Sequence, residues 1–317
     1  MSRMRYRSLG RTGLAVSVIG FGASPLGNEF GEADPSAGER AVHAAIDSGI
    51  NFFDVAPYYG RTLAEERLGT ALEGKRDQVI LATKCGRYDA DQFDFSASRV
   101  FRSIEESLRR LKSDYVDLLQ VHDVEFGDPN QIINETLPAL EEVRRQGKAR
   151  FTGITGFPLG VLIRIASQFP VSTILSYCRS NLLVNDLDTR LQPFAAEHGI
   201  GLINASPLHM GIWTQQGPPS WHPASPDVLT AAKTAVNFLQ SCDIPPARFA
   251  LRYCLDFSPV ATTVVGMSTE DQVKQNLAAL EHPNDPEMLD HVRQLVEPVR
   301  NRTWPSGRPE NRDNGVG

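Results

Sequence analysis

The sequence predicts a (β/α)8 TIM barrel, an α/β fold in which eight parallel strands close on themselves inside a sheath of helices. Three observations carry the prediction. Short runs rich in branched apolar residues recur eight times; segments of helical period fall between them; and the runs are near-continuously apolar, as strands covered on both faces must be. Eight such units fill about 250 residues in closed barrels. The chain of 317 residues therefore reads as one domain, with the barrel over about 14–282 and a C-terminal helix and tail over 283–317.

The first strand run is VSVIGFGA from Val16 and the second is NFFDVA from Asn51. VILATKCG from Val79 and YVDLLQVHD from Tyr115 follow, then ARFTGITG, TILSYC, GLINASP and ATTVVGMS. The helical segments read GERAVHAAIDSG, TLAEERLGTALEG, SASRVFRSIEESLRRLKS, INETLPALEEVRRQGK and DLDTRLQPFAAEHG, several closing on the glycine that helix C-termini favour. An open doubly wound sheet would carry GxGxxG after its first strand. Here Gly20-Phe21-Gly22 is followed by Pro25 where the third glycine belongs, which excludes that fold.

Extra material follows the seventh strand. The proline-rich stretch Gly217 to Asp227, GPPSWHPASPD, is expected to cover a pocket, because loops after barrel strands build the site. Trp221 and His222 in it are either substrate contacts or plain loop residues. PPARFALRYCLDF precedes the eighth strand as a helix, and EMLDHVRQLVEPVRN follows it as another. The tail from Asn301 is rich in Pro, Gly, Asn and Arg, so its last ten residues are expected to lack fixed structure. Trp304 within it either anchors the tail to the barrel or forms a binding wall.

Composition narrows the function. A net charge of -6 supplies no electrostatic reason to bind nucleic acid or an anionic membrane. No stretch approaches the roughly 18 apolar residues of a membrane span, and the N-terminus lacks the apolar core of a signal peptide. A cytoplasmic enzyme acting on a small molecule is the expectation, as a monomer or a homodimer. Cys85, Cys178, Cys242 and Cys254 form no CxxC pair, so reduced, packed thiols are expected rather than a metal site or disulfides.

Chemistry concentrates at strand ends. Asp54 ends the second run, Tyr59 follows five positions later in a turn opening on Ala56-Pro57, Lys84 ends the third run and His122 the fourth. Each has a bland reading alone: a cap, a rim aromatic, a structural ion pair, a satisfied polar group. In a barrel all four converge on one mouth. Asp54 would hold Lys84 charged, the ammonium would lower the pKa of the Tyr59 phenol, and His122 would fix the substrate oxygen.

NFFDVAPYYG, LATKCG and VHD resemble the catalytic segments of the aldo-keto reductases, and the resemblance runs nearly the whole chain. It implies Asp54, Tyr59, Lys84 and His122 as a catalytic tetrad. GFGASPLG, ATKCGRY, FDFSASRV, ILSYC, ASPLHMG, QGPPSWHPASP and RTWPSG resemble a subgroup that oxidises the anomeric carbon of L-galactose with NAD to a lactone. The cofactor contacts implied are Gly22, Ala23, Ser176, Ser206, Leu208, Gly211, Gly266, Ser268, Gln272 and Asn276. Members that prefer NADP tend to carry lysine at the position of Gly266 and arginine at that of Gln272. Without them a 2′-phosphate loses two charge-assisted contacts of roughly 1.5–3 kcal/mol each, so NAD is expected. Lys274, the one nearby cation, should point away from Gln272 and Asn276 on a helix. The pattern also departs from the family's commoner one: its Ser-Asn pair reads Thr155-Gly156, its strand-six glutamine is not evident in TILSYC, and its stacking aromatic is Ala205.

Asp123, Glu125, His209 and Trp304 are the sugar-binding candidates by position. Within the same chemistry the alternatives are an L-fucose or D-threo-aldose dehydrogenase and an aldehyde reductase. Two rivals come from other classes. A Schiff-base aldolase would use Lys84, but Asp54 would keep that amine protonated. A cofactor-sensing regulatory subunit would not need an intact tetrad.

Overall fold

The structure is a computed structural model that describes residues 4–313. Parallel strands β1 (Ile19–Gly22), β2 (Phe52–Asp54), β3 (Ile80–Cys85), β4 (Val116–Val121), β5 (Ala149–Gly156), β6 (Thr173–Tyr177), β7 (Gly201–Ala205) and β8 (Thr262–Gly266) neighbour one another in sequence order. β8 pairs back onto β1, Gly266 opposite Gly22, and closes the barrel. The predicted fold class is the observed one.

Alternation along the strands sorts their residues into two layers. Phe52, Ala82, Leu118, Leu175, Ile203 and Val264 meet inside the barrel. Phe53, Leu81, Leu119, Ile174 and Val265 face a larger core shared with the helices. Burying one such large side chain contributes roughly 1.5–3 kcal/mol. Two positions beyond the inner residues, Asp54, Lys84 and Gln120 continue the same series, and His122 follows Gln120 at the C-terminal mouth.

The surrounding helices are α1 (Pro35–Asp47), α2 (Leu63–Ala71), α3 (Ala97–Leu111), α4 (Leu137–Arg145), α5 (Leu159–Ala166), α6 (Gln192–His198), α7 (Pro226–Ser241), α8 (Pro246–Asp256), α9 (Glu270–Ala278) and α10 (Pro286–Val296). Local chemistry sets their ends. Asp34 and Ser96 accept backbone N–H bonds at the starts of α1 and α3, and α6 stops at Gly199, whose φ of 69° is left-handed. Helices α5 and α7 lie outside the predicted helical segments. Among the described residues no helix is long and apolar enough to cross a membrane.

The first predicted strand proves to be two. Ala15–Ser17 pairs antiparallel with Tyr6–Ser8, and this hairpin lays Leu9, Leu14 and Val16 against the barrel's inner residues. At the break, Ser17 Oγ donates to Ile19 O at 2.7 Å.

The tail also departs from expectation, because residues 308–313 are fixed. A short turn over Pro309–Asn311 lets the buried Asn311 amide donate to Glu125 O and Gly127 O, both at 2.9 Å. Asp313 accepts from the N–H groups of Leu159 (3.1 Å) and Gly160 (2.9 Å) at the start of α5, and from Arg179 at 2.7 Å. A carboxylate on a helix N-terminus and a buried guanidinium explains why a polar, glycine-rich segment holds still. Residues 314–317, the rest of that segment, lie outside the described residues.

Candidate active site

Lys84 Nζ lies 2.5 Å from Asp54 Oδ1, 3.0 Å from Val55 O and 3.4 Å from Tyr59 Oη. The ammonium also stands 4.9 Å from the Tyr59 ring centroid. Gln120 Nε2 donates to the other Asp54 oxygen at 3.3 Å. His122 presents its edge to Tyr59, with ring centroids 5.7 Å apart and planes at 86°. The four residues are thus gathered at one mouth, and all but Tyr59 stand within one residue of a strand's end.

Tyr59 needs a different support, since it sits in a turn. Gly60 (φ 60°) and Gly27 approach so closely that a Cβ on Gly60 would stand 2.2 Å from Gly27 O. Glu29 Oε1 accepts from Gly60 N at 2.8 Å. Only glycine permits this contact, and it ties the loop after β1 to the turn that presents the phenol.

Burial governs protonation here. It raises the Asp54 carboxyl, with Lys84 and Gln120 partly offsetting it. It pushes His122 down to about 3, so the imidazole is neutral. The Tyr59 phenol is raised well above its ordinary value by burial first and by the Asp54 and Asp123 carboxylates next. This corrects the expectation that Lys84 would lower it. The ammonium is already neutralised by Asp54, and little net field is left against desolvation.

Beside His122 the mouth is lined by Tyr58, Arg87 and Asp123. Asp123 takes a left-handed backbone (φ 52°), held where Thr155 Oγ1 accepts its N–H at 3.0 Å. Trp304 stacks on Phe157 at 4.5 Å and meets the edges of His209 and His222 at 5.5 and 5.6 Å. His209 is fully buried behind it, both ring nitrogens lacking partners among the described residues. Glu125 is also fully buried, accepting from Phe157 N, Ser306 Oγ and Tyr177 Oη at 3.2, 3.1 and 3.4 Å. It joins the β5 and β6 ends to the tail.

A second set of residues lies around the ends of β7, β8 and β1. Ser206, His209 and Met210 all hold left-handed backbones after β7, each costing of order 1–3 kcal/mol, and Leu208 and Gly211 share the turn. Gly22 and Gly266 pair across β1 and β8, and Ala23 N donates to Asp54 O at 2.9 Å. Gln272 Oε1 accepts from Ser268 N (2.7 Å) and Ser268 Oγ (3.3 Å), and Asn276 lies on the same helix. Lys274 pairs with Asp271 at 3.7 Å with 70% of its side chain exposed. Ser176 stands apart: Leu175 packs inside the barrel and Ile174 outside, so alternation turns Ser176 towards the helices, and Tyr177 is the inward residue.

The residues fit a nicotinamide dinucleotide. Gly266 is exposed at the strand end, where a Cβ would come within 2.9 Å of Pro25, leaving an open backbone edge beside the N-terminus of α9.

Known proteins resemble this chain in sequence and in fold. The sequence profile of the aldo/keto reductase family matches residues 18–297. The L-galactose dehydrogenase of Arabidopsis thaliana is 48% identical over 98% of this chain and 100% of its own length. A D-threo-aldose 1-dehydrogenase from a Pseudomonas species is 32% identical over 86% of this chain and 92% of its own. The solved holo form of an aldo-keto reductase from Bacillus halodurans superposes with a TM-score of 0.78 at 29% identity, covering 98% of this chain and all of that one.

Proposed function

The chain belongs to the aldo/keto reductase family and is an oxidoreductase, and from that premise we propose that it oxidises the anomeric carbon of L-galactose with NAD, giving the lactone. The observation that carries the reading is the 48% identity, end to end, with a protein named for that activity. The tetrad geometry supports it chemically.

NAD, when bound, supplies the hydride acceptor. Ala23, Ser206, Leu208, Gly211, Gly266, Ser268, Gln272 and Asn276 would hold it. Tyr59, once ionised, takes the proton of the anomeric hydroxyl, and Lys84, 3.4 Å away, steadies the oxygen that receives it. His122 is neutral and orients the same hydroxyl without competing for its proton. Trp304 on Phe157 walls one side and excludes water.

Two features favour NAD over NADP. A longer residue at Gly266 would collide with Pro25, and Gln272 offers no charge to a 2′-phosphate. Four unpaired cysteines suit a reducing cytoplasm.

The test is NADH formation with L-galactose, L-fucose, D-arabinose and D-galactose, each offered with NAD and with NADP. L-Galactose with NAD should dominate. Faster turnover of L-fucose or D-arabinose would move the substrate, and silence with all four would end the dehydrogenase reading.

A further inference from the structure

Arg87 stands on the hairpin strand Arg87–Asp89 that follows β3, and its guanidinium is caged. The Tyr58 ring lies 3.9 Å from the guanidinium carbon, with Phe93 and Phe126 at 5.3 and 5.5 Å. One edge is committed, Nη1 donating to Asp123 Oδ2 at 2.6 Å. The rest is not. Nε is buried without a partner, and among the described residues neither Nη2 nor Asp123 Oδ1 has a hydrogen-bond partner. A salt bridge built only for stability would have no reason to leave a buried donor idle, because each such group costs stability.

Place decides what the unused groups are for. Asp123 Oδ2 lies 3.8 Å from His122 Nε2, and Tyr58 meets the His122 ring edge-on at 5.9 Å. The fork therefore borders the imidazole that orients the reacting hydroxyl. Arg87 offers a donor and Asp123 an acceptor side by side, and a single hydroxyl can satisfy both, accepting from one and donating to the other. The next group along an aldose chain from the anomeric hydroxyl is the hydroxyl on C2.

Resting on the functional reading above, we propose that Arg87 and Asp123 together read the C2 hydroxyl of the sugar, making Arg87 a specificity-determining residue. The aromatic cage keeps the guanidinium plane from following a misplaced hydroxyl, so an epimer or a deoxy sugar leaves the spare Arg87 donor and Asp123 acceptor unpaired. Tyr58 serves as the platform that holds the fork in place.

The experiment compares kcat/KM for L-galactose and 2-deoxy-L-galactose in the wild-type enzyme, Arg87→Met and Arg87→Lys, with folding and NAD binding followed by thermal melting and fluorescence quenching. Wild type should lose about 10- to 100-fold on the deoxy sugar, the worth of a hydrogen bond to a charged group. Arg87→Met should lose a similar factor on L-galactose and little on the deoxy sugar, so that the ratio between sugars collapses. Arg87→Lys can still pair with Asp123 but gathers its donors on one nitrogen and lacks the second edge of the guanidinium fork, so it should fold normally yet show the same collapse. Equal losses on both sugars in the variants, or a wild-type ratio in Arg87→Lys, would overturn the inference and leave the dehydrogenase reading standing. Wild-type silence with every parent aldose would overturn both.

Discussion

Lys84 reaches Asp54 before it reaches Tyr59, at 2.5 Å against 3.4 Å, so the ammonium serves the carboxylate first and the phenol second. Both partners are almost fully buried, with side chains 1% and 5% exposed. Such a pair gains little over apolar residues but is costly to break. Lys84→Met should therefore destabilise the chain by about 3–5 kcal/mol. The double variant Lys84→Met with Asp54→Leu should recover most of that stability while remaining inactive. Denaturant unfolding of the two variants checks this; equal stability losses in both would contradict it.

Tyr59→Phe removes the proton acceptor and leaves the ring, its edge contact with His122 and the Gly27–Gly60 approach intact. Turnover should drop by about 10²- to 10⁴-fold, the usual share of general acid–base catalysis, with NAD affinity and melting temperature nearly unchanged. Wild-type turnover in this variant would remove Tyr59 from the mechanism.

The raised Tyr59 phenol fixes the sign of the pH dependence. Oxidation needs the Tyr59 phenolate, the form that can accept a proton, and a raised pKa keeps the phenol protonated through neutral pH, so kcat/KM for the sugar should climb towards alkaline pH. His122, at about 3, adds no limb between pH 5 and 9. A pH–rate profile that is flat above pH 6 would show that another group takes the proton.

How far the sequence could be read follows from where chemistry sits on the strands. Asp54, Lys84 and His122 are legible because each is a charged or titratable residue at the end of an apolar run, and barrel topology brings such ends together. Gln120 is reachable by the same logic, being a lone amide on the inner face two residues before His122. Ser176 fails by one step: side chains alternate, so a single position turns the residue from the lumen to the helices and puts Tyr177 inside instead. Arg87 lies in a short hairpin with no periodic signature, and its role depends on Asp123, 36 residues away. The fixed tail is equally hidden, because Asp313 acts through helix α5 and Arg179, contacts that no local pattern encodes.

Cofactor preference should yield to a single charge. Gln272→Arg replaces an amide whose one side-chain hydrogen-bond partner among the described residues is Ser268 with a cation beside Gly266. NADP affinity should rise by about 10- to 100-fold, the worth of one charge-assisted contact, while NAD affinity changes little. Titration of both cofactors by fluorescence quenching measures it, and an unchanged NADP to NAD ratio would place the 2′-position elsewhere.

Glu125 links pH to folding. Burial first and the Asp123 charge second raise its carboxyl to about 8, while an unfolded glutamate titrates near 4.3. Between those values the folded chain holds a proton that the unfolded chain has released. Stability therefore falls as pH rises from about 4.3 to about 8, by at most about 1.4 kcal/mol per unit from this group, and levels off above. Glu125→Gln keeps an oxygen to accept from Phe157 N and Ser306 Oγ and cannot ionise. Its unfolding free energy should match the wild type near pH 5 and exceed it near pH 8, with the tail still docked through Glu125 O. Parallel stability curves for the two proteins across that range would mean that the carboxyl is charged in the folded state and that water or a rearranged donor meets its unpartnered Oε2.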